Sequence, residues 1–397
     1  MDENEVIQDM EESQIETSFQ ESQHPQSNRE SFNSPTNSIR NLSSQQNQLS
    51  DINRELEEIL KQQNAKVKVI GIGGGGGNTL SRMKEIGIKG AELIAMNTDA
   101  QDLLYSNADF KILLGRELTR GLGAGSNPKI GEEAAHESES ELKKRLTGSD
   151  MVFVTCGLGG GTGSGAAPVI AEIAKKAGAL TIGIVTLPFT IEGRKRIENA
   201  MYGLERMESV VDTLIVIPND KLLELAPELP LHTAFKIADE ILTNAVKGTT
   251  ELVTRAGLVN LDFADIKAVM SNGGVSLMGM GEADSQSRAL EAVEKAINNP
   301  LLDVDVSNAT GALVNIIGGP DLSLDESKAI IEYIGNKLSD DAKMIWGAQI
   351  SADMEKSLRV MVIITGVKSS QIIGTDDNFE SSHSGDISDE LGIEFIE

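Results

Sequence analysis

The sequence predicts an α/β protein in which a parallel-sheet domain is joined by a long core helix to a smaller α+β second domain, with disordered tails at both ends. Three observations carry this reading. Near-continuous Val/Ile/Leu runs (VKVIGIG, ELIAMNTD, FKILLG, MVFVTCG, LTIGIVTLP, TLIVIP) alternate with helical stretches up to residue 230, as parallel strands buried on both faces require. A run over 231–253 then places Ile237, Ala238, Ile241, Ala245 and Val246 at helical spacing, with more apolar residues than one covered flank needs. From 254 to 367 the pattern changes to four strand-like runs (VSLMGMG, GALVNIIGG, KMIWGAQI, LRVMVIITG) and two helical ones, SRALEAVEKAI and ESKAIIEYIGNKL.

The remaining segments read differently. Ser, Gln and Asn supply 24 of residues 1–50, too little apolar area to offset the ordering entropy, so this extension is expected to be disordered. LSDINRELEEILKQQ (49–63) has helical spacing. Residues 368–397 hold eight acids and one lysine and end in an amphipathic patch, ELGIEFIE. The formal net charge is −26 and aromatics make up 3%, which argues against direct contact with nucleic acid. The single cysteine, Cys156, excludes an internal disulfide and fits a reducing compartment. No run approaches the ~20 apolar residues of a membrane span, and the acidic N-terminus has no apolar signal core. These features predict a soluble cytosolic protein without a transmembrane segment.

Two glycine clusters carry the chemistry. VIGIGGGGGN (69–78) fits the GxGxxG spacing through Gly71, Gly73 and Gly76, with Asp99 downstream. Alone it reads as a dinucleotide fingerprint or as a turn with no ligand. The second, GLGGGTGSG (157–165), follows MVFV and precedes a helical run. Successive amides from Gly159 to Gly165, with the Thr162 and Ser164 hydroxyls and a helix N-terminus, can converge on an anion. A dinucleotide fold needs one such loop; two on one sheet edge suit a polyphosphate better. No GxxxxGK[ST] lysine is present, so amides, helix dipoles and a metal would have to meet the phosphate charge.

GGGTGSG resembles the nucleotide loop of the tubulin/FtsZ family, and the resemblance runs over about 66–367. It is carried by VKVIGIGGGGGN, MNTDAQDL, RGLGAGSNP, DMVFVTCGLGGGTGSGAAPV, LPFTIEGRKR, IPNDKLL and NLDFAD. It implies a GTP-binding domain over 51–230, a connecting core helix over 231–253 and a C-terminal GTPase-activating domain over 254–367. It assigns phosphate contacts to Gly74, Gly75, Gly76, Gly77 and Asn78, and to Gly160, Gly161, Thr162, Gly163 and Ser164. Asn97 and the loop with Gly123, Ala124 and Gly125 would close over the γ-phosphate. Glu192 and Arg196 match the ribose-side pair, although on residues alone they read first as an i,i+4 ion pair. Asn219 and Asp239 match the guanine-side positions and Phe235 would stack on the base; without the family, Asp239 reads as a solvated acid and Phe235 as a core aromatic.

Asn260, Asp262 and Asp265 are the catalytic residues the resemblance implies. They follow a helix roughly 30 Å long for about 20 residues, too far to reach their own chain's nucleotide. The family's solution is that they enter the pocket of the next subunit, so that head-to-tail filaments form the active site. GTP and GDP are the implied substrate and product. Mg²⁺ is implied beside the phosphates with no confident side-chain ligands, and K⁺ is admitted as an assistant. The implied role is a polymerising GTPase of bacterial cytokinesis, at the division site beneath the inner membrane, with the C-terminal tail meeting division proteins and membrane tethers. The end patch departs from the family pattern, keeping Ile393, Phe395 and Ile396 but no Arg or Lys. A tubulin-like filament protein of DNA segregation or cell shape is the alternative. A Rossmann-type oxidoreductase has the support of the first glycine cluster only.

Overall fold

The strand-like runs fold into one ten-stranded sheet in the computed structural model, which describes residues 65–221, 230–254, 258–259, 261–299, 309–339 and 341–367. The expected helix over 49–63, both tails and Asn260 lie outside these residues. The strands are β1 (Val67–Ile72), β2 (Ala91–Asn97), β3 (Phe110–Leu113), β4 (Met151–Gly157), β5 (Leu180–Leu187), β6 (Thr213–Pro218), β7 (Gly274–Ala283), β8 (Gly311–Gly318), β9 (Lys343–Ile350) and β10 (Leu358–Thr365). Their order is β3-β2-β1-β4-β5-β6-β7-β10-β8-β9.

The first six strands are parallel and follow the 3-2-1-4-5-6 order of a doubly wound sheet. Such a sheet reverses its winding between β1 and β4, and ligands bind beyond the carboxyl ends there. Continuous burial along β4 and β5 explains why these strands read as unbroken apolar runs. β7 extends the sheet by a short parallel pairing, Thr213↔Gly274 to Ile215↔Ser276. β10 is antiparallel to β7 and β8, and β9 is parallel to β8, so the sequence-predicted mixed sheet continues the first one.

Eleven helices among the described residues flank the strands: α1 (Gly73–Ile86), α2 (Ala100–Tyr105), α3 (Arg116–Thr119), α4 (Pro128–Glu137), α5 (Glu139–Leu146), α6 (Gly161–Lys176), α7 (Arg194–Val210), α8 (Leu231–Thr254), α9 (Phe263–Met270), α10 (Arg288–Ile297) and α11 (Leu324–Gly335). Helix α8 buries Leu242, Thr243, Ala245, Val246, Gly248, Thr249, Thr250, Glu251 and Leu252, residues that circle its axis at about 100° per residue, so both flanks are covered as its composition requires. Among the described residues no helix is long and apolar enough to cross a membrane.

The acids after α8 are not on a plain loop. Asp262 is the N-cap of α9 and Asp265 lies in its first turn, a helix that the reading of 254–367 did not include. Its last carbonyl, on Met270, accepts a hydrogen bond from the Thr213 hydroxyl at the first residue of β6. This fixes α9 at the amino end of the parallel strands.

Helices α4 and α6 cross backbone to backbone. A Cβ on Gly165 would run into the Pro128 carbonyl oxygen and come within 2.8 Å of the Glu132 amide. The crossing is tied at its side by Arg206 of α7, which donates to Glu132 at 2.5 Å. Gly165→Ala is therefore expected to destabilise the fold by about 3 kcal/mol, the upper end of the usual cost of overpacking. Gly87, a left-handed helix end with nothing within 4 Å of its Cβ position, should lose only about 1 kcal/mol as Ala. Urea unfolding of the two variants measures the difference.

Candidate functional site

The site is built where β1 and β4 end. Helix α1 starts at Gly73, immediately after β1, so Gly73–Gly77 form its first turn and not a free loop. Helix α6 starts at Gly161, with three residues between it and the end of β4. First-turn amides have no partner inside a helix, and two such sets face the crevice beside each other. The backbones nearly touch: a Cβ on Gly73, whose φ is +70°, would lie 3.3 Å from the Gly163 amide nitrogen, and one on Gly75 would lie 3.2 Å from that of Gly157. Packing of one glycine turn on the other thus explains part of the glycine content without a ligand. Gly160, the N-cap of α6, has nothing within 4 Å of its Cβ position.

A cleft of about 550 Å³ opens here, lined by Gly75, Asn78, Glu192, Arg196, Asn219, Phe235 and Asp239 among others. Seven sequence-predicted residues from four separate segments therefore meet in one place. Gly74 is exposed beside them, whereas Gly76 and Gly77 are buried in the turn. Gly161 and Gly163 are buried and Thr162 is half-buried. Ser164 is fully buried, and its hydroxyl accepts from the Gly159 amide at 2.8 Å; its hydroxyl shapes the turn from within. Asn97, also buried, accepts from the Asp99 amide at 3.2 Å.

The segment with Gly123, Ala124 and Gly125 arches next to α6. The Gly123 amide donates to the Thr98 carbonyl at 3.2 Å, and that of Asn127 to the Ala124 carbonyl at 3.0 Å. Asn199 was not singled out in the sequence. Its buried amide donates to the Ser126 carbonyl at 2.9 Å and to the Gly159 carbonyl at 3.2 Å, stapling this segment to the second glycine turn.

Glu192 and Arg196 do form the ion pair, at 2.7 Å. Glu192 also accepts from the Phe189 amide at 2.9 Å, which closes the turn before α7. Phe235 is not a core aromatic. It is 39% exposed and stands edge-on to buried Phe189, with centroids 5.1 Å apart. The buried Asn219 Oδ1 finds no hydrogen-bond partner among the described residues, an arrangement that costs about 1–3 kcal/mol unless a ligand supplies a donor.

Asp239 is not a simply solvated acid. Burial raises its pKa above the ordinary 3.8, against the hydrogen bond from Thr79 and the charge of Arg82. The Thr79 hydroxyl lies 3.1 Å from the carboxylate and 3.0 Å from the Gly75 carbonyl, sharing one proton between them. Thr79 too was absent from the sequence reading, because nothing local links it to a residue 160 positions away.

The cleft does not include Asp262 and Asp265. Both are exposed on α9 at the amino end of β6, whereas Asn219 follows the carboxyl end of the same strand. Six strand residues, about 20 Å, separate the two levels. Among the described residues no group of three or more acids, histidines or cysteines converges to hold a metal.

Two glycine-turn helix starts at the switch point of a doubly wound sheet define a tubulin-like nucleotide-binding fold, and the comparisons agree. Residues 66–227 match the Tubulin/FtsZ family, GTPase domain, and residues 274–368 match the FtsZ family, C-terminal domain. The chain is 60% identical over 337 residues to "Cell division protein FtsZ 1" of Thermococcus kodakarensis, covering 85% of this chain and 90% of that protein. It superposes on the solved "FtsZ dimer, empty (M. jannaschii)" with a TM-score of 0.76 and 57% identity, covering 79% of this chain and 92% of that one. "CetZ2 from Haloferax volcanii - GTPgS bound protofilament", at 22% identity and a TM-score of 0.65 over 78% of this chain and 95% of that chain, shares the fold. The chain belongs to the FtsZ family. These relatives are archaeal, so they support the family and not the bacterial origin that the sequence resemblance suggested.

The direction of the Asp239 shift fixes a pH dependence. Its folded-state pKa lies above 3.8, so the folded chain holds this proton more tightly than the unfolded one. Stability therefore falls as pH rises from 3.8 through the raised value, and the full penalty is present above it. Asp239→Asn should raise the melting temperature of the ligand-free protein at pH 7. The gain should fade as pH is lowered toward 3.8, as thermal unfolding across pH 4–8 can measure.

Proposed function

We propose that the chain is a GTP-dependent polymerising GTPase of cell division, with GTP in the cleft between α1, α6, α7 and α8. The first-turn amides of α1 and α6 receive the phosphates, with Gly160 and Thr162 at the start of α6. Glu192 and Arg196 lie on the ribose side. Asp239 accepts from the N–H donors of guanine, Asn219 gains the donor that its Oδ1 lacks among the described residues, and Phe235 offers its exposed face to the base. Mg²⁺ fits as a phosphate-held ion, since a hard cation with few carboxylates keeps water and phosphate oxygens as ligands; it would neutralise charge developing on the phosphates. K⁺ belongs to the same reading.

The observation that carries the proposal is the opposite placement of the cleft and the acids. A chain with its nucleotide at the carboxyl ends of the strands and Asp262 and Asp265 at the amino end cannot join the two by itself. Stacked head to tail, α9 of one subunit meets the cleft of the next, and Asp262 and Asp265, with Asn260 just before them in the sequence, orient and deprotonate the attacking water. Such a contact is heterologous and propagates into filaments. In this reading 51–230 is the GTP-binding domain, α8 the connector and 254–367 the activating domain. The protein works in the cytoplasm at the division site, and the C-terminal tail contacts division proteins and membrane tethers.

Phosphate release per subunit is expected to rise with protein concentration. Asp262→Ala or Asp265→Ala should lower it by roughly 10²-fold or more while GTP binding stays within about twofold of wild type. Normal hydrolysis in either variant, or a rate per subunit independent of concentration, would show that the acids do not act across a subunit boundary.

A further inference from the structure

Thr98 is fully buried at the end of β2, and its hydroxyl lies 2.7 Å from that of Thr162. Distance alone leaves the donor undecided, but the two surroundings differ. Thr162 is half-buried in the first turn of α6, where a free hydroxyl proton can go to water. The proton of Thr98 has no such outlet at 0% exposure, and a buried donor left unpaired bears the full cost of its desolvation. A hydroxyl carries one proton and two lone pairs, so the lower-energy arrangement has Thr98 donating and Thr162 accepting.

We infer that Thr98 is a positioning residue that fixes Thr162 as a donor toward the nucleotide: by occupying a Thr162 lone pair, it leaves the Thr162 proton to point away, toward the space before α6. Phosphate oxygens are acceptors only, so a hydroxyl held in this sense is matched to them and polarised by the bond it accepts. The main chain of Thr98 adds a second link. Its carbonyl accepts from the Gly123 amide and the Thr119 hydroxyl, each at 3.2 Å. One residue thus ties the arching Gly121–Gly125 segment to the second glycine turn. This inference rests on the GTP reading of the cleft and adds to it the hydroxyl that sets its polarity.

The test is a double-mutant cycle on the full chain, with GTP affinity measured by calorimetry and the melting temperature of each sample recorded. Thr98→Val, which keeps the shape and removes the hydroxyl, is expected to weaken GTP binding roughly five- to tenfold. Thr98→Ser should restore it to within about twofold. In a Thr162→Val background the Thr98→Val change should cost nothing further, since the proton it orients is gone. Thr98→Cys, with only a weak S–H donor, takes the place of Thr98→Val if the latter does not fold and must show the same loss. Equal GTP affinity in Thr98→Val and wild type, or losses that simply add in the double variant, would overturn the assignment and leave the GTP site standing. Absence of GTP binding in the wild type would instead bring down the site, and the assignment with it.

Discussion

The contact between two helix starts governs the molecule. The first turn of α1 and the N-terminus of α6 lie close enough that a Cβ at Gly73 would press on the Gly163 backbone, and one at Gly75 would press on Gly157 at the end of β4. Five consecutive glycines in a helical turn are costly, each about 1 kcal/mol less favourable than alanine. The return is geometric: two sets of unpaired amides and two helix dipoles are brought to one crevice, at the point where the sheet reverses its winding. A strand order that separated β1 from β4 would put the two starts on different parts of the sheet edge.

Most of the fold was legible because strands buried on both faces leave an unbroken apolar signature. MVFVTCG, TLIVIP and KMIWGAQI coincide with β4, β6 and β9 residue for residue. The helix over Phe263–Met270 was missed because the segment was read for its carboxylates and not for its period. The three-residue pairing of β6 with β7, which fuses two expected sheets, is a long-range choice that no local pattern records. In the site, the motif residues were legible as a resemblance, and the cleft gathers Asn78, Glu192, Arg196, Asn219, Phe235 and Asp239. Thr79, Thr98 and Asn199 were not legible. Each is a common polar residue whose role is set by partners far along the chain, even where, as with Thr98, it lies inside a quoted motif.

The polar interior of the cleft is held at the expense of stability. Asp239 carries a desolvation penalty, and Asn219 keeps an oxygen without a partner among the described residues. Opposing terms stabilise the frame around them: Arg206 locks α7 to α4 through Glu132, and Asn199 closes the two arches. The groups left in tension face the cleft, and the satisfied ones stand behind it. A ligand that donates to Asp239 and Asn219 relieves both, so its binding energy includes recovered strain as well as new contacts.

Cys156 stands near the end of β4, fully buried, with burial pushing its thiol up to about 12. At neutral pH the group stays a thiol, and the thiolate is the reactive form. Since the chain has no other cysteine, the folded protein is expected to react slowly with thiol-specific reagents. A cysteine introduced anywhere on the surface can therefore take a dye without background, while modification of Cys156 itself timestamps the opening of the strand that carries the second glycine turn.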